Sequence, residues 1–122
     1  MVKVYGIPNC SSVKKALDWL KQHDIEFEFH DYKKVGIDKK KLKEWSDRFG
    51  WEKVLNKKGT TWRKLSPEEQ EKVTSEKAAL TVMAANPSMI KRPVVEKNND
   101  LLIGFDENEY TVILDPKSTN QL

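Results

Sequence analysis

The chain has 122 residues, 34% of them charged and 38% hydrophobic, with a formal charge of +3 and a single cysteine. That length and balance predict one soluble domain, residues 1–122. They argue against direct nucleic-acid binding, a membrane span or signal peptide, and an internal disulfide, since there is no dense basic stripe, no long apolar run and no second thiol. A cytoplasmic location is the resulting expectation, and the oxidised partner of any thiol reaction must be another molecule.

The first run, VKVYG (Val2 to Gly6), alternates as a short strand and ends in a Gly-Ile-Pro-Asn turn. A helix is predicted next. Val13, Ala16, Leu17 and Leu20 fall at i, i+3, i+4 and i+7, while Lys14, Lys15, Asp18 and Lys21 face water. Cys10 therefore stands at or just before a helix N-terminus. The stretch IEFEFHDY alternates Ile25, Phe27 and Phe29 against Glu26, Glu28 and His30, the period of a second strand. Two strands joined through a helix run parallel with a right-handed crossover. The Cys10 loop then lies at the C-terminal end of the first strand, where α/β folds collect their chemistry.

The middle of the chain turns helical. Asp38 is predicted as an N-cap, with Leu42, Trp45 and Phe49 on one side and Gly50 as the stop. Ser66-Pro67-Glu68-Glu69 reads as a capping box with proline at the first helical position, and a further helix over roughly Ser75 to Asn86 turns Leu80, Val82 and Met83 inward before Pro87. Two or three helices are expected in the middle ahead of that further one. The basic clusters at Asp38 to Lys43 and at Lys57 and Lys58 read as solvated faces.

Strands return at RPVVEKNNDLLIGF, where two apolar runs flank Lys97-Asn98-Asn99-Asp100 as a hairpin. Asp106 and Glu109 predict a second capping box on a last helix that buries Tyr110, Ile113 and Leu114, and the tail after Asp115 reads as unanchored. The sum is β-α-β, a helical insertion, then β-β-α. A four-stranded mixed α/β sheet of this order is similar to the thioredoxin fold.

A thiolate at a helix N-terminus is stabilised by free backbone N–H groups and the positive end of the helix dipole, so Cys10 is the candidate nucleophile. Asn9 belongs to the turn that presents it. Ser11 and Ser12 offer hydroxyl donors, and Lys14 or Lys15 a nearby cation. Val13 occupies the position three residues on, so the second cysteine of a Cys-x-x-Cys pair is absent and dithiol chemistry is excluded. What remains is attack by one thiolate to give a mixed disulfide, released by a second thiol such as glutathione. Thr60 and Thr61 beside Trp62 read either as a hydroxyl-lined pocket with an aromatic wall or as a turn packed on a core tryptophan. His23 and His30 lack partners at metal-ligand spacing, and no metal site or bound cofactor is predicted.

The helix entry NCSSVKKALDWL, the segment LNKKGTTWRKLS, the run NPSMIKRPVVE and the final IGFDENEY together resemble the arsenate-reductase-like (ArsC) family, and within it the YffB and Spx branch. The resemblance spans nearly the whole chain. It implies a thioredoxin-like fold with a helical insertion over about 36–88, Cys10 as nucleophile, and a cis peptide before Pro93 that faces Cys10 and presents the backbone to an extended peptide or glutathione. Arg92 would be the anion partner of Cys10 or of a carboxylate. Glutaredoxin-dependent arsenate reductases of the family hold the oxyanion with three arginines. One of these falls on Arg92, the other two on Asn56 and Gly104. Arg63, Lys57 or Lys58 would have to substitute, and Arg63 reads equally as a surface arginine. Gly104 with Phe105 resembles the Gly-aromatic step of the Spx branch, and reads either as room for a ligand's backbone or as an ordinary strand-end glycine.

Three functions follow from this resemblance. The leading expectation is a glutathione-linked thiol reductase, with glutathione as co-substrate and glutaredoxin as a further partner. A Spx-like regulator binding RNA polymerase is the second, without the two-cysteine switch because of Val13. Glutaredoxin-dependent arsenate reduction is the third, weakened by the two missing arginines.

Overall fold

Alternating apolar residues in short β-branched runs build the strands, and capped amphipathic runs build the helices between them. The computed structural model describes residues 1–115; the tail read as unanchored lies outside the described residues. In chain order the elements are β1 (Val2–Gly6), α1 (Ser11–Gln22), β2 (Phe27–Asp31), α2 (Tyr32–Val35), α3 (Lys39–Phe49), α4 (Trp51–Val54), α5 (Thr60–Arg63), α6 (Pro67–Glu71), α7 (Glu76–Ala85), a 3-10 turn (Pro87–Met89), β3 (Val94–Lys97), β4 (Asp100–Ile103) and α8 (Glu107–Leu114). Among the described residues the packing separates two compact units: 1–31 together with 92–115, and Tyr32–Lys91.

In the first unit the strands form one mixed sheet of order β2-β1-β3-β4, the thioredoxin-like arrangement. β1 runs parallel to β2 from Val2 opposite Phe27 to Gly6 opposite Asp31, and antiparallel to β3 with Val4 opposite Val95. β3 and β4 form the hairpin, Val94 opposite Ile103 and Lys97 opposite Asp100, with Asn98 taking the left-handed φ of 55° that its turn requires. Val2, Val4, Ala16, Trp19, Leu20, Val95, Leu102, Tyr110 and Leu114 make the core of this unit. Trp19 stands outside the predicted helical face, yet it is 4% exposed and meets Tyr110 edge-on at 5.5 Å.

The end of β1 approaches α1 so closely that an ideal Cβ on Gly6 would lie 2.8 Å from Cγ2 of Val13. Val13 is fully buried, and a β-branched side chain in a helix has little rotamer freedom with which to give way. Gly6→Ala is therefore expected to lower stability by about 1–3 kcal/mol. Urea unfolding checks this, and a parental midpoint would show that the strand–helix contact yields freely.

The second unit is built of helices around Tyr32, Leu42, Trp45, Val54, Leu55, Met83, Met89 and Ile90, all at most 1% exposed. Asp38 caps α3 by accepting from the Lys41 N–H at 2.8 Å, and Gly50 at φ 87° ends it. Ser66 and Glu69 close the predicted capping box on α6, and Ser75 caps α7. An irregular seam ties the ends together: Asn56 N–H donates to the Met89 carbonyl at 2.7 Å, Lys91 N–H to that of Val54 at 2.8 Å, and the Tyr32 hydroxyl to that of Ile90 at 3.0 Å.

Three expectations need correction. The second strand stops at Asp31, because Tyr32 begins a helical turn in which its ring is fully buried. Six α-helices, not two or three and one further, lie between Tyr32 and Ala85, since α2, α4 and α5 are single turns too short to show a helical period. Pro87 ends α7 as expected, standing next after its C-cap Asn86 and opening the 3-10 turn. On α8, Asp106 accepts from the Glu109 N–H at 3.0 Å, which is the Asp106 half of a capping box.

Two lysines of the basic clusters pair with acids. Lys43 Nζ lies 2.7 Å from Asp47 and 3.1 Å from Glu76, and Lys41 pairs with Glu44 at 3.2 Å. Lys57 lies over the rings of Trp51 and Trp62. No helix among the described residues is long and apolar enough to cross a membrane.

Candidate functional site

The site is built at the junction of β1 and α1. Gly6, Ile7, Pro8 and Asn9 carry the chain off the sheet. Cys10 then takes the N-cap position of α1 with extended φ −112° and ψ 129°, so Ser11, Ser12 and Val13 are the first three helical residues. Cys10 is half-buried there. Asn9 and Ser11 are exposed.

From the other side of this unit, the segment before β3 brings Arg92 to the sulfur. Burial pushes the Cys10 thiol up. Against that, the backbone N–H of Val13, the Arg92 guanidinium as hydrogen-bond donor, the backbone N–H of Ser12 and the Arg92 charge all favour the thiolate, and the net result is a lowered pKa. The helix entry works through amide groups, so Val13, which forecloses a second thiol, supplies the largest single stabilisation of the first. Ser12 also contributes through its backbone. The two lysines on the next turn, Lys14 and Lys15, are exposed and are not among the groups that move this thiol.

The Arg92–Pro93 peptide is cis. Pro93 lies opposite Gly104, one step beyond the Val94–Ile103 pair of the hairpin, and its carbonyl accepts the Gly104 N–H at 2.8 Å. Gly104 has φ 80°, and a Cβ built on it meets no other atom within 4 Å, so backbone conformation and not crowding selects glycine there. Cys10, Ser12, Arg92, Pro93 and Gly104 thus belong to one folded unit.

Asn56, Thr61 and Arg63 belong to the helical unit. Thr61 is half-buried and Arg63 exposed on the single turn α5, and Trp62 between them is 8% exposed, a core residue with Lys57 Nζ 5.5 Å from its ring centre. The packed-turn alternative fits Trp62. Asn56 is spent locally: its side-chain carbonyl accepts from the Lys58 N–H at 3.1 Å, beside Gly59.

One residue of the site has no warning in the sequence pattern. Tyr110, assigned to the core by its place on α8, donates its hydroxyl to the Gly104 carbonyl at 2.7 Å. An aromatic at a core position signals burial, and nothing in the sequence says where its hydroxyl goes.

A family model described as "ArsC family" matches residues 5–113. An uncharacterized protein of Haemophilus influenzae is 49% identical over 111 residues, covering 90% of this chain and 96% of that protein. The solved structure of the YffB protein is 44% identical with a TM-score of 0.89, covering 93% of this chain and 99% of its own. A protein named global transcriptional regulator Spx, from Streptococcus mutans, is 28% identical over 117 residues, covering 93% of this chain and 83% of that protein.

Proposed function

The chain belongs to the ArsC family, and on that premise we propose that it is a cytoplasmic, glutathione-linked thiol reductase that works through Cys10 alone. The observation that carries this reading is the pairing of Cys10 with Arg92 at the α1 N-terminus in a chain with no second cysteine. In the first step the Cys10 thiolate attacks the glutathionyl sulfur of a mixed disulfide. The bond from Cys10 Sγ to glutathione forms, the substrate S–S bond breaks, and the leaving thiolate takes the electron pair and then a proton. In the second step a glutathione thiolate attacks the glutathionyl sulfur on Cys10, oxidised glutathione departs and the Cys10 thiolate is restored. The substrate sulfur passes from disulfide to thiol and the sulfur of the entering glutathione from thiol to disulfide, while the glutathionyl sulfur carried by Cys10 stays at the disulfide level throughout. Glutaredoxin fits the same scheme as an alternative acceptor of the glutathionyl group.

Arg92 and the N–H groups of Val13 and Ser12 hold the thiolate before attack and favour its departure as leaving group afterwards. The glutathione carboxylates are the natural counterparts of Arg92, and the Pro93 segment offers backbone to an extended peptide. Brief exposure to oxidised glutathione at neutral pH is expected to add one glutathionyl group at Cys10, visible by intact mass, faster than on an unstructured cysteine peptide and reversed by added thiol. A rate no faster than the peptide's would sink the proposal.

Arsenate reduction is the weaker reading for a reason in the backbone. Of the two arginines replaced here, the one at Gly104 would sit at φ 80°, which an arginine adopts only with strain. The likeness to Spx over 93% of the chain favours a second reading, a protein that binds RNA polymerase. Val13 leaves that reading without a dithiol switch.

A further inference from the structure

One step beyond the last pair of the β3–β4 ladder, Val94 and Ile103, Pro93 faces Gly104. A hydrogen-bonded pair of this kind exchanges two bonds, each residue donating its N–H to the other's carbonyl. Gly104 donates to Pro93 at 2.8 Å, but Pro93 has no N–H to return. The Gly104 carbonyl is instead met by the Tyr110 hydroxyl at 2.7 Å, from the first turn of α8.

We propose that Tyr110 is a positioning residue for the thiol site: its hydroxyl replaces the donor that Pro93 lacks, fixes the Gly104 peptide, and so holds the Arg92–Pro93 backbone at the place from which Arg92 reaches Cys10. This deepens the thiol-reductase reading and rests on it for the catalytic consequence.

Three further observations support the assignment. The Tyr110 ring is held on two sides, edge-on to Trp19 at 5.5 Å and to Phe105 at 4.9 Å, so the direction of its hydroxyl is set by packing. Burial, with the charge of Glu109 adding to it, pushes the phenol well above its ordinary pKa, so it remains a donor throughout the range in which a thiol titrates. Gly104, at φ 80° and with open space where a Cβ would be, has no side chain to lock its backbone by packing.

Tyr110→Phe keeps the ring and removes only the hydroxyl. The rate of Cys10 alkylation by iodoacetamide, measured against pH, reads the thiolate midpoint without involving glutathione. In the phenylalanine variant the midpoint is expected to rise by about half a unit, an about threefold loss of thiolate at pH values below it. On an Arg92→Gln background the same substitution is expected to add no further shift, because the arginine through which it acts is gone. A midpoint unchanged by Tyr110→Phe, whether or not urea unfolding shows a loss of stability, overturns the proposal by making the hydroxyl merely structural. An equal shift on the glutamine background overturns it as well. Failure of oxidised glutathione to modify the parent protein, with these alkylation shifts present, would count against the glutathione reading and leave the role of Tyr110 standing.

Discussion

Cys10→Ser is expected to bring thiol turnover down to the uncatalysed rate, a loss of about a thousandfold or more, because disulfide exchange requires a sulfur nucleophile that is ionised near neutral pH. The fold should survive, since serine is among the preferred N-cap residues and its hydroxyl can accept from the same helix-entry N–H groups that meet the sulfur. The substitution also separates chemistry from stability through pH. The lowered pKa means that native Cys10 loses its proton before the unfolded chain does, whose thiol titrates near about 8.5. Between the native value and that point the unfolded state binds more protons, and stability rises with pH. The contribution is fully present above the unfolded pKa and is lost as pH falls through the native one. The serine variant should lack that slope. Turnover of a glutathionylated peptide, together with urea unfolding at several pH values, tests both halves, and full turnover by the serine variant would sink the single-thiol mechanism.

The placement of Cys10 was legible because three local signals coincide: a β-period that stops at Gly6, a Pro-Asn turn, and an apolar stripe that begins at Val13. Caps are local too, and those of α3 and α6 lie where Asp38 and Ser66 announce them. Trp19 was missed for the opposite reason. Its burial depends on Tyr110, far along the chain, and a stripe drawn through Val13, Ala16, Leu17 and Leu20 already accounts for a helical face. The single turns α2, α4 and α5 carry no periodicity to detect, so the middle of the chain holds more helices than its pattern suggests. Arg92 is an intermediate case. Nothing local ties it to Cys10, and only the family resemblance pointed to the pair that the first unit assembles. The Tyr110–Gly104 bond was illegible for want of any signal for where a buried hydroxyl points.

Arg92→Gln is expected to raise the midpoint of Cys10 alkylation by about one unit, because it removes both a hydrogen bond to the sulfur and the positive charge beside it while the N–H groups of Val13 and Ser12 remain. At pH values below both midpoints the thiolate fraction then falls about tenfold. The rate of disulfide exchange falls less, about threefold, since a more basic thiolate is a stronger nucleophile with a Brønsted coefficient near 0.4–0.5. Above both midpoints the order reverses and the variant thiolate reacts faster than the parent's, so the two rate profiles cross. A simple loss of structure lowers the rate at every pH and produces no crossing. Arg92→Lys refines the test. It returns the charge without the planar fork, so the midpoint should come back most of the way. The KM for glutathione should stay raised if Arg92 also grips a carboxylate through two parallel bonds. A glutamine variant with the parental midpoint would remove Arg92 from the account of the thiolate and leave the helix entry as its sole support.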